Sequence, residues 1–378
     1  MPSSSVIQHE KLEQKYYKSF QCIDLSADFY YSTELNLTQT WPGCVDSHSE
    51  VYTKYCWNGH MIDKLPIEWR VIAIHGFVGS RRLSDEFQSP ELLLIARRSC
   101  RYAGTRFNRR GQSLTGDVAN EVETEQIVYR NGCSGPVTTF IQHRGSIPIF
   151  WHQDMGSVPQ KPPIELGPHD PWYRATAAHF SSLVERYGAR IIAFNLVKKG
   201  IPGESDIGER YAEAVDYLNQ FLAPKAKIGW RWTDIARLRK SGSFAREFNA
   251  ECVEIANEVD ITTPEHRQRG IVRVNCVDCL DRTNLTQVAI GLEALHRQLT
   301  YLGSTMKVDQ GSKAGAIFQK LFEIHGDIIG YQYGGSQLVH TLQSYRGKDP
   351  LASKSKDILA TISRYYSNTF RIMRNNSH

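Results

Sequence analysis

The chain has 378 residues, 41% of them apolar, with a formal net charge of +5. That length and apolar content suit one or two folded domains, and no stretch approaches the roughly 18 to 20 apolar residues needed to cross a bilayer. The start, MPSSSVIQHEKLEQKYY, lacks the apolar run of a secretory signal, so any membrane is expected to be approached from the water side. Eight cysteines are scattered, and Cys276 and Cys279 form the only close pair. One CxxC cannot complete a four-ligand zinc site, so no metal site is read here and a reduced, cytoplasmic setting is expected.

The first 20 residues are polar and read as frayed. From Phe29 to about Phe150 short apolar runs at 71–78, 92–96 and 140–151 suit strands separated by turns. A Pro- and Gly-punctuated connection follows at 153–170, and beyond it the period changes. Trp172, Tyr173, Ala177, Phe180, Val184 and Tyr187 fall near one helical face, which Gly188 stops. The run IIAFNLV at 191–197 reads as a buried strand, and 207–222 as a helix with a stripe of Tyr211, Val215, Leu218 and Leu222. Residues 224–269 are less periodic and read as a surface helix with a flexible loop. Residues 301–378 carry ten Lys and Arg against five Asp and Glu, consistent with an anionic partner surface or with a merely solvated face.

The informative stretch is GIVRVNCVDCLDRTNLTQVAIGLEALHRQL at 270–299. Ile271, Val272 and Val274 predict a short strand ending at Cys276, and Val288, Ala289, Leu292, Leu295 and Leu299 predict a helix face. Between them lies a polar loop, giving strand, loop, helix, with the helix N-terminus as an anion site. Five residues lie between Cys276 and Arg282 in that loop. A thiolate nucleophile favoured by the helix end and the arginine, with the guanidinium fork gripping two phosphate oxygens, is the chemistry this spacing predicts. Asp278 and Asp281 are candidates to protonate the leaving oxygen and then activate water, with Asp281 preferred; the alternative role for either is a helix cap, which Thr283 or Asn284 can equally supply. Asn275, Val277, Cys279, Leu280, Thr283 and Asn284 complete the loop. Cys279 reads as a resolving thiol or as a small buried filler. Asn284 opens a formal glycosylation sequon that its place in the loop argues against.

RVNCVDCLDRTN closely resembles the signature of the Sac-domain phosphoinositide phosphatases. RFNRRGQSLTGDVANEVETEQIV at 106–128, FIQHRGSIPIFWHQD at 140–154, the pairs at 179–180 and 187–188, and NLVKKG at 195–200 extend the likeness from about residue 20 to the end. Within that family, YQYGGSQLVH at 331–340 and SKDILATISRYYSNTF at 355–370 look most like the branch that removes the 5-phosphate of phosphatidylinositol 3,5-bisphosphate. The resemblance implies an α/β fold: a mostly β N-terminal subdomain, here 20–155, then an α/β catalytic subdomain, here 156–370, with a tail at 371–378. It implies Cys276 as nucleophile forming a phosphocysteine, Arg282 as clamp, Asp278 and Asp281 as acid or base, and no metal or cofactor. It further implies endosomal or vacuolar membranes, in company with a scaffold protein and a phosphoinositide 5-kinase, and a chain shortened at both ends. Arg106, Arg109, Arg110, Lys198 and Lys199 are candidates to face further phosphates. No nucleic-acid partner is expected. The competing readings are a protein phosphatase with the same chemistry and a largely structural subunit of a lipid-kinase complex.

Overall fold

A computed structural model describes residues 28–334 apart from 47–48, 107, 131–134, 154–162, 279 and 310. Cys279, the first 20 residues and the basic segment past residue 334, with most of the 331–340 and 355–370 matches, lie outside the described residues.

One eight-stranded sheet organises the chain, in the order β1-β2-β3-β4-β5-β10-β8-β9. Its first half is an antiparallel meander of β1 (Phe29–Tyr31), β2 (Ala73–Arg82), β3 (Glu91–Arg98), β4 (Val122–Tyr129) and β5 (Val137–Arg144). β6 (Trp151–Gln153) and β7 (Ile164–Leu166) form a separate ribbon. β8 (Arg190–Asn195), β9 (Gly229–Trp232) and β10 (Gly270–Asn275) are parallel to one another, and β10 is also parallel to β5. The fold is thus α/β, with a β-rich N-terminal part and an α/β C-terminal part, as the sequence predicts. The sheet runs without a break from β5 into β10.

The helices are α1 (Gly59–Ile62), α2 (Arg174–Tyr187), α3 (Glu204–Asn219), α4 (Ile235–Ser241), α5 (Phe244–Val259), α6 (Asp281–Tyr301) and α7 (Lys313–Gly334). They cover both faces of the parallel half, which is why its strands read as continuous apolar runs. Side chains alternate across β10: Ile271 joins Phe180, Leu183, Tyr211 and Val215 of α2 and α3, whereas Val272 and Val274 join Phe248, Ile255, Ile290 and Ala294 of α5 and α6. α6 and α7 also seal the antiparallel half, where Leu295, Leu299, Phe318 and Phe322 pack on Phe77, Leu92, Leu94 and Val128.

Several details differ from the periodicity reading. The buried side of α2 is Ala175, Thr176, His179, Phe180 and Leu183, while Trp172 and Val184 are exposed. The apolar run at 140–151 is strand only to Arg144, because residues 145–150 turn away to begin β6. The segment 224–269 contains β9, α4 and α5, and α5 buries Phe248, Cys252, Ile255, Ala256 and Val259, so it is a core helix whose polar face masks its period. β4, with the polar sequence VETEQIVY, is buried along nearly its whole length. Its acids are neutralised from neighbouring elements: Glu123 meets Arg97 at 3.0 Å and Arg186 at 2.6 Å, Glu125 meets Arg97 at 2.7 Å, and adjacent Glu121 meets Lys54 at 2.6 Å. A buried charge is tolerated only when paired in this way.

Candidate active site

Parallel strands converge their C-terminal ends on one edge of a sheet, where open α/β folds place their ligands. Here the ends of β5, β8 and β10 share that edge with the start of β4. β10 delivers Cys276 to it, and α6 leaves it at Asp281, so the predicted strand, loop and helix are present with a loop at 276–280. The first α6 hydrogen bond is donated by the Asn284 amide to the Leu280 carbonyl at 2.9 Å. A helix N-terminus of this kind favours an anion.

Cys276 is 2% exposed, and the Thr283 hydroxyl donates to its Sγ at 3.4 Å. The loop is held from outside. Arg110 donates from Nη1 to the Val277 carbonyl at 2.8 Å and from Nη2 to Gln153, and its guanidinium lies over the Trp151 ring. Leu280 is fully buried against Tyr333 of α7. Asn284 is 1% exposed and donates to the Phe322 carbonyl at 3.2 Å, which closes the sequon to a glycan.

Below the cysteine, Asn275 is a strut: its Nδ2 donates to Asn195 Oδ1 at 2.6 Å and its Oδ1 accepts from Arg273 Nη1 at 3.0 Å. Arg273, fully buried, also donates to the Ser146 carbonyl and, through Nε, to His179 Nε2 at 3.1 Å. The ends of β5, β8 and β10 are thereby tied together.

Arg282 Nη1 donates to the Leu196 carbonyl at 2.8 Å and to Glu204 Oε2 at 3.1 Å. The same Glu204 oxygen accepts the Lys198 amide at 3.1 Å. Burial alone would lower the guanidinium, but the negative charge of Cys276, Glu204 and Asp278 holds it above its ordinary value. Arginine and cysteine are thus within electrostatic reach.

Asp278 Oδ1 accepts from Arg110 Nη2 at 2.8 Å, and its Oδ2 lies 3.4 Å from Arg106 Nη1. Burial pushes this carboxyl up, yet Arg110 and Arg106, with Arg282 beyond, hold it well below the usual carboxylate range. Asp278 is therefore an anion at any ordinary pH. Asp281 is the first residue of α6, half-buried.

Of the weaker candidates, Arg106 and Arg110 reach the loop, whereas the Arg109 guanidinium lies 5.0 Å from the Tyr102 ring centre. Lys199 places its ammonium over Trp232 and, like Lys198, belongs to the β8–α3 connection that leads into Glu204. Glu204, Asn195, Arg273, His179 and Gln153 were not singled out individually from sequence. Asn195, His179 and Gln153 fall inside the quoted likenesses at 195–200, 179–180 and 140–154, and Arg273 inside the signature itself; Glu204 had no such signal. Among the described residues, no group of three or more His, Cys, Asp or Glu is arranged to hold a metal ion.

A cysteine and an arginine with five residues between them, the first after a buried strand and the second in the first turn of a helix, define an α/β protein with a Cx5R loop. A family profile described as the SacI homology domain matches residues 2–240, and the chain belongs to that family. It is 38% identical to the polyphosphoinositide phosphatase of Schizosaccharomyces pombe, over 95% of this chain and 47% of that protein. It is 31% identical to the phosphatidylinositol-3-phosphatase SAC1 of Arabidopsis thaliana, over 97% of this chain and 50% of that protein. Identity to the phosphatidylinositide phosphatase SAC2 of Danio rerio is also 31%, over 96% of this chain and 36% of that protein. The chain spans half or less of the length of these curated relatives.

Proposed function

We propose that this chain is a cysteine-based phosphoinositide phosphatase acting on phosphatidylinositol 3,5-bisphosphate at its 5-phosphate. The observation that carries the chemistry is a buried Cys276, whose Sγ accepts the Thr283 hydroxyl at 3.4 Å, set just before the helix N-terminus whose second residue is Arg282. In the first step Cys276 Sγ attacks phosphorus, a sulfur–phosphorus bond forms, and the bond to the ring oxygen breaks. Asp281 gives its proton to that oxygen. In the second step Asp281 takes a proton from water, whose oxygen attacks phosphorus and returns the thiolate. Arg282 holds the non-bridging oxygens in both steps, and the first-turn amides of α6 add their dipoles. Asp278 is a poor proton donor because it is already ionised between two arginines, which supports Asp281 in the acid role.

The choice of lipid rests on the resemblance at 331–340 and 355–370 together with the phosphoinositide names of the relatives. Of those names the Arabidopsis one gives a ring position, the 3-phosphate, and the 5-phosphate reading rests on the resemblance. In this reading residues 20–155 are the N-terminal subdomain and 156–370 the catalytic subdomain. The protein works from the surface of an endosomal or vacuolar membrane, with a scaffold protein and a phosphoinositide 5-kinase as partners. Among the described residues no helix is long and apolar enough to cross a membrane.

The test is phosphate release from short-chain phosphatidylinositol 3,5-bisphosphate beside the 3-phosphate, 4-phosphate, 4,5-bisphosphate and 3,4,5-trisphosphate, with a phosphotyrosine peptide as a further arm. Wild type should release phosphate from the 3,5-bisphosphate and Cys276→Ser should release none. Cysteine-dependent release from the peptide alone would replace the lipid reading with a protein phosphatase. A folded chain inactive on every substrate would leave a structural subunit.

A further inference from the structure

Asp278 takes one guanidinium on each oxygen, Arg110 on Oδ1 and Arg106 on Oδ2. The exposures run opposite to those of a surface ion pair. The two arginine side chains are 7% and 15% exposed, and the carboxylate above them is 39% exposed. The cations are thus the built part of this cluster. Arg110 is immobilised from the other side by the Val277 carbonyl, Gln153 and the Trp151 ring, and the Arg106 amide is bonded to the Tyr333 carbonyl at 3.0 Å. An anion bridging two largely buried guanidinium groups, one of them held from behind, is what a phosphate monoester does best, since it has three acceptor oxygens and carries about −1.5 to −2 charges. A single carboxylate is the weaker occupant of the same place. It is also two positions along the loop from Cys276, at most about 7 Å of backbone, so an anion there and a phosphate over the sulfur can belong to one ring.

We infer that Arg106 and Arg110 form the subsite for a second phosphate of the substrate, and that Asp278 is an internal anion which fills it in the free protein and is displaced on binding. The inference rests on the lipid phosphatase reading and deepens it: the exchange makes the loop discriminate headgroups with two phosphates from those with one. A headgroup with a single phosphate over Cys276 leaves Asp278 in place and gains nothing from the two arginines. A headgroup with a second phosphate in reach gains both, less the cost of releasing the carboxylate. Neutralising Asp278 removes that cost.

The experiment is calorimetric binding to Cys276→Ser protein, which cannot turn the ligand over, of inositol headgroups carrying either one or two phosphates and of inorganic phosphate alone. Arg106→Gln should weaken the two-phosphate headgroup by roughly tenfold, as expected for one charge-assisted contact, and leave the one-phosphate headgroup within about twofold. Asp278→Asn, nearly identical in shape, should tighten the two-phosphate headgroup by about fivefold or more, and the one-phosphate headgroup clearly less, by the lost repulsion alone. Equal effects on both headgroups would overturn the inference by reducing the cluster to general electrostatics, as would weaker two-phosphate binding in Asp278→Asn. Inorganic phosphate bound as tightly as the two-phosphate headgroup would overturn it as a simple anion site. Wild-type turnover of a two-phosphate lipid together with unaltered selectivity in both variants would sink the subsite and leave the functional reading standing. Absence of all headgroup binding and turnover would take both down.

Discussion

Glu204→Gln isolates the support of the proposed phosphate clamp. The Glu204 side chain is 5% exposed and that of Arg282 20%, at 3.1 Å. Two unit charges at that distance attract by about 5 kcal/mol at an effective dielectric constant near 20, most of which is offset by their desolvation. Glutamine keeps the volume and an acceptor oxygen but removes the charge, so about 1–3 kcal/mol of Arg282 anchoring should be lost. The guanidinium retains the Leu196 carbonyl and gains freedom to swing. A clamp displaced by about 1 Å costs on the order of 100-fold in rate, while the un-neutralised arginine still attracts phosphate in the ground state. The expectation is a kcat lowered roughly 10- to 100-fold with KM unchanged or reduced, measured by phosphate release from short-chain bisphosphorylated lipid, beside a thermal melt for the folded fraction. That split marks a positioning residue, since partial unfolding alone lowers apparent kcat only by the fraction unfolded. Wild-type kcat in a folded Glu204→Gln protein would refute the argument that this ion pair aims the arginine.

Two further expectations concern stability. Glu123 is fully buried; burial would raise its carboxyl, but Arg186, Arg97 and the Tyr187 hydroxyl hold it down at about 2. A depressed carboxylate stabilises the fold above its unfolded value near 4.5 and loses that contribution as pH falls from there through 2. Glu123→Gln should therefore cost about 3–5 kcal/mol at neutral pH by stranding Arg97 and Arg186, and should flatten the acid limb of a stability profile measured by urea unfolding between pH 5 and about 2. His325 is the opposite case. It is fully buried beside Phe77 and Phe322, neither ring nitrogen has a hydrogen-bond partner among the described residues, and burial followed by the Arg144 charge lowers it to about 3. The unfolded chain takes up this proton below about pH 6.5 and the folded chain does not, so stability drains as pH falls from 6.5 towards 3. His325→Leu should remove that drain and hold or raise stability at pH 7, by up to about 1–3 kcal/mol, in the same measurement; a marked loss at pH 7 would show that the ring has a polar role.

The sequence made the strand, loop and helix of the site legible because each had an uncontested period. Val288, Leu292, Leu295 and Leu299 are all buried on α6, and Ile271, Val272 and Val274 all lie inside β10. β4 was not legible as a strand because Glu123 and Glu125 occupy positions where apolar side chains were expected, and the arginines that excuse them come from β3 and α2. α5 was legible only as a surface helix because seven of its sixteen residues are polar or charged and crowd the outer face, leaving its buried stripe thin. In the site, the Cx5R spacing is local and could be read; the partner of Arg282 is 78 residues away and could not. In sequence the two aspartates differ only by a slight preference for Asp281. Only the three-dimensional approach of Arg106 and Arg110 separates them.

The position of β10 has a consequence for how the protein can be taken apart. It lies between β5 and β8, paired in register to both, and neither neighbour adjoins it in the chain. A cut in the 145–189 connection would give two fragments, one ending in the bare edge of β5 and the other beginning near β8 with one side of β10 open. Open edges of that length invite pairing. Co-expressed, the fragments should find each other through this seam, and the cysteine loop, whose backbone is gripped by Arg110 from the first fragment, would be complete only in the reunited protein.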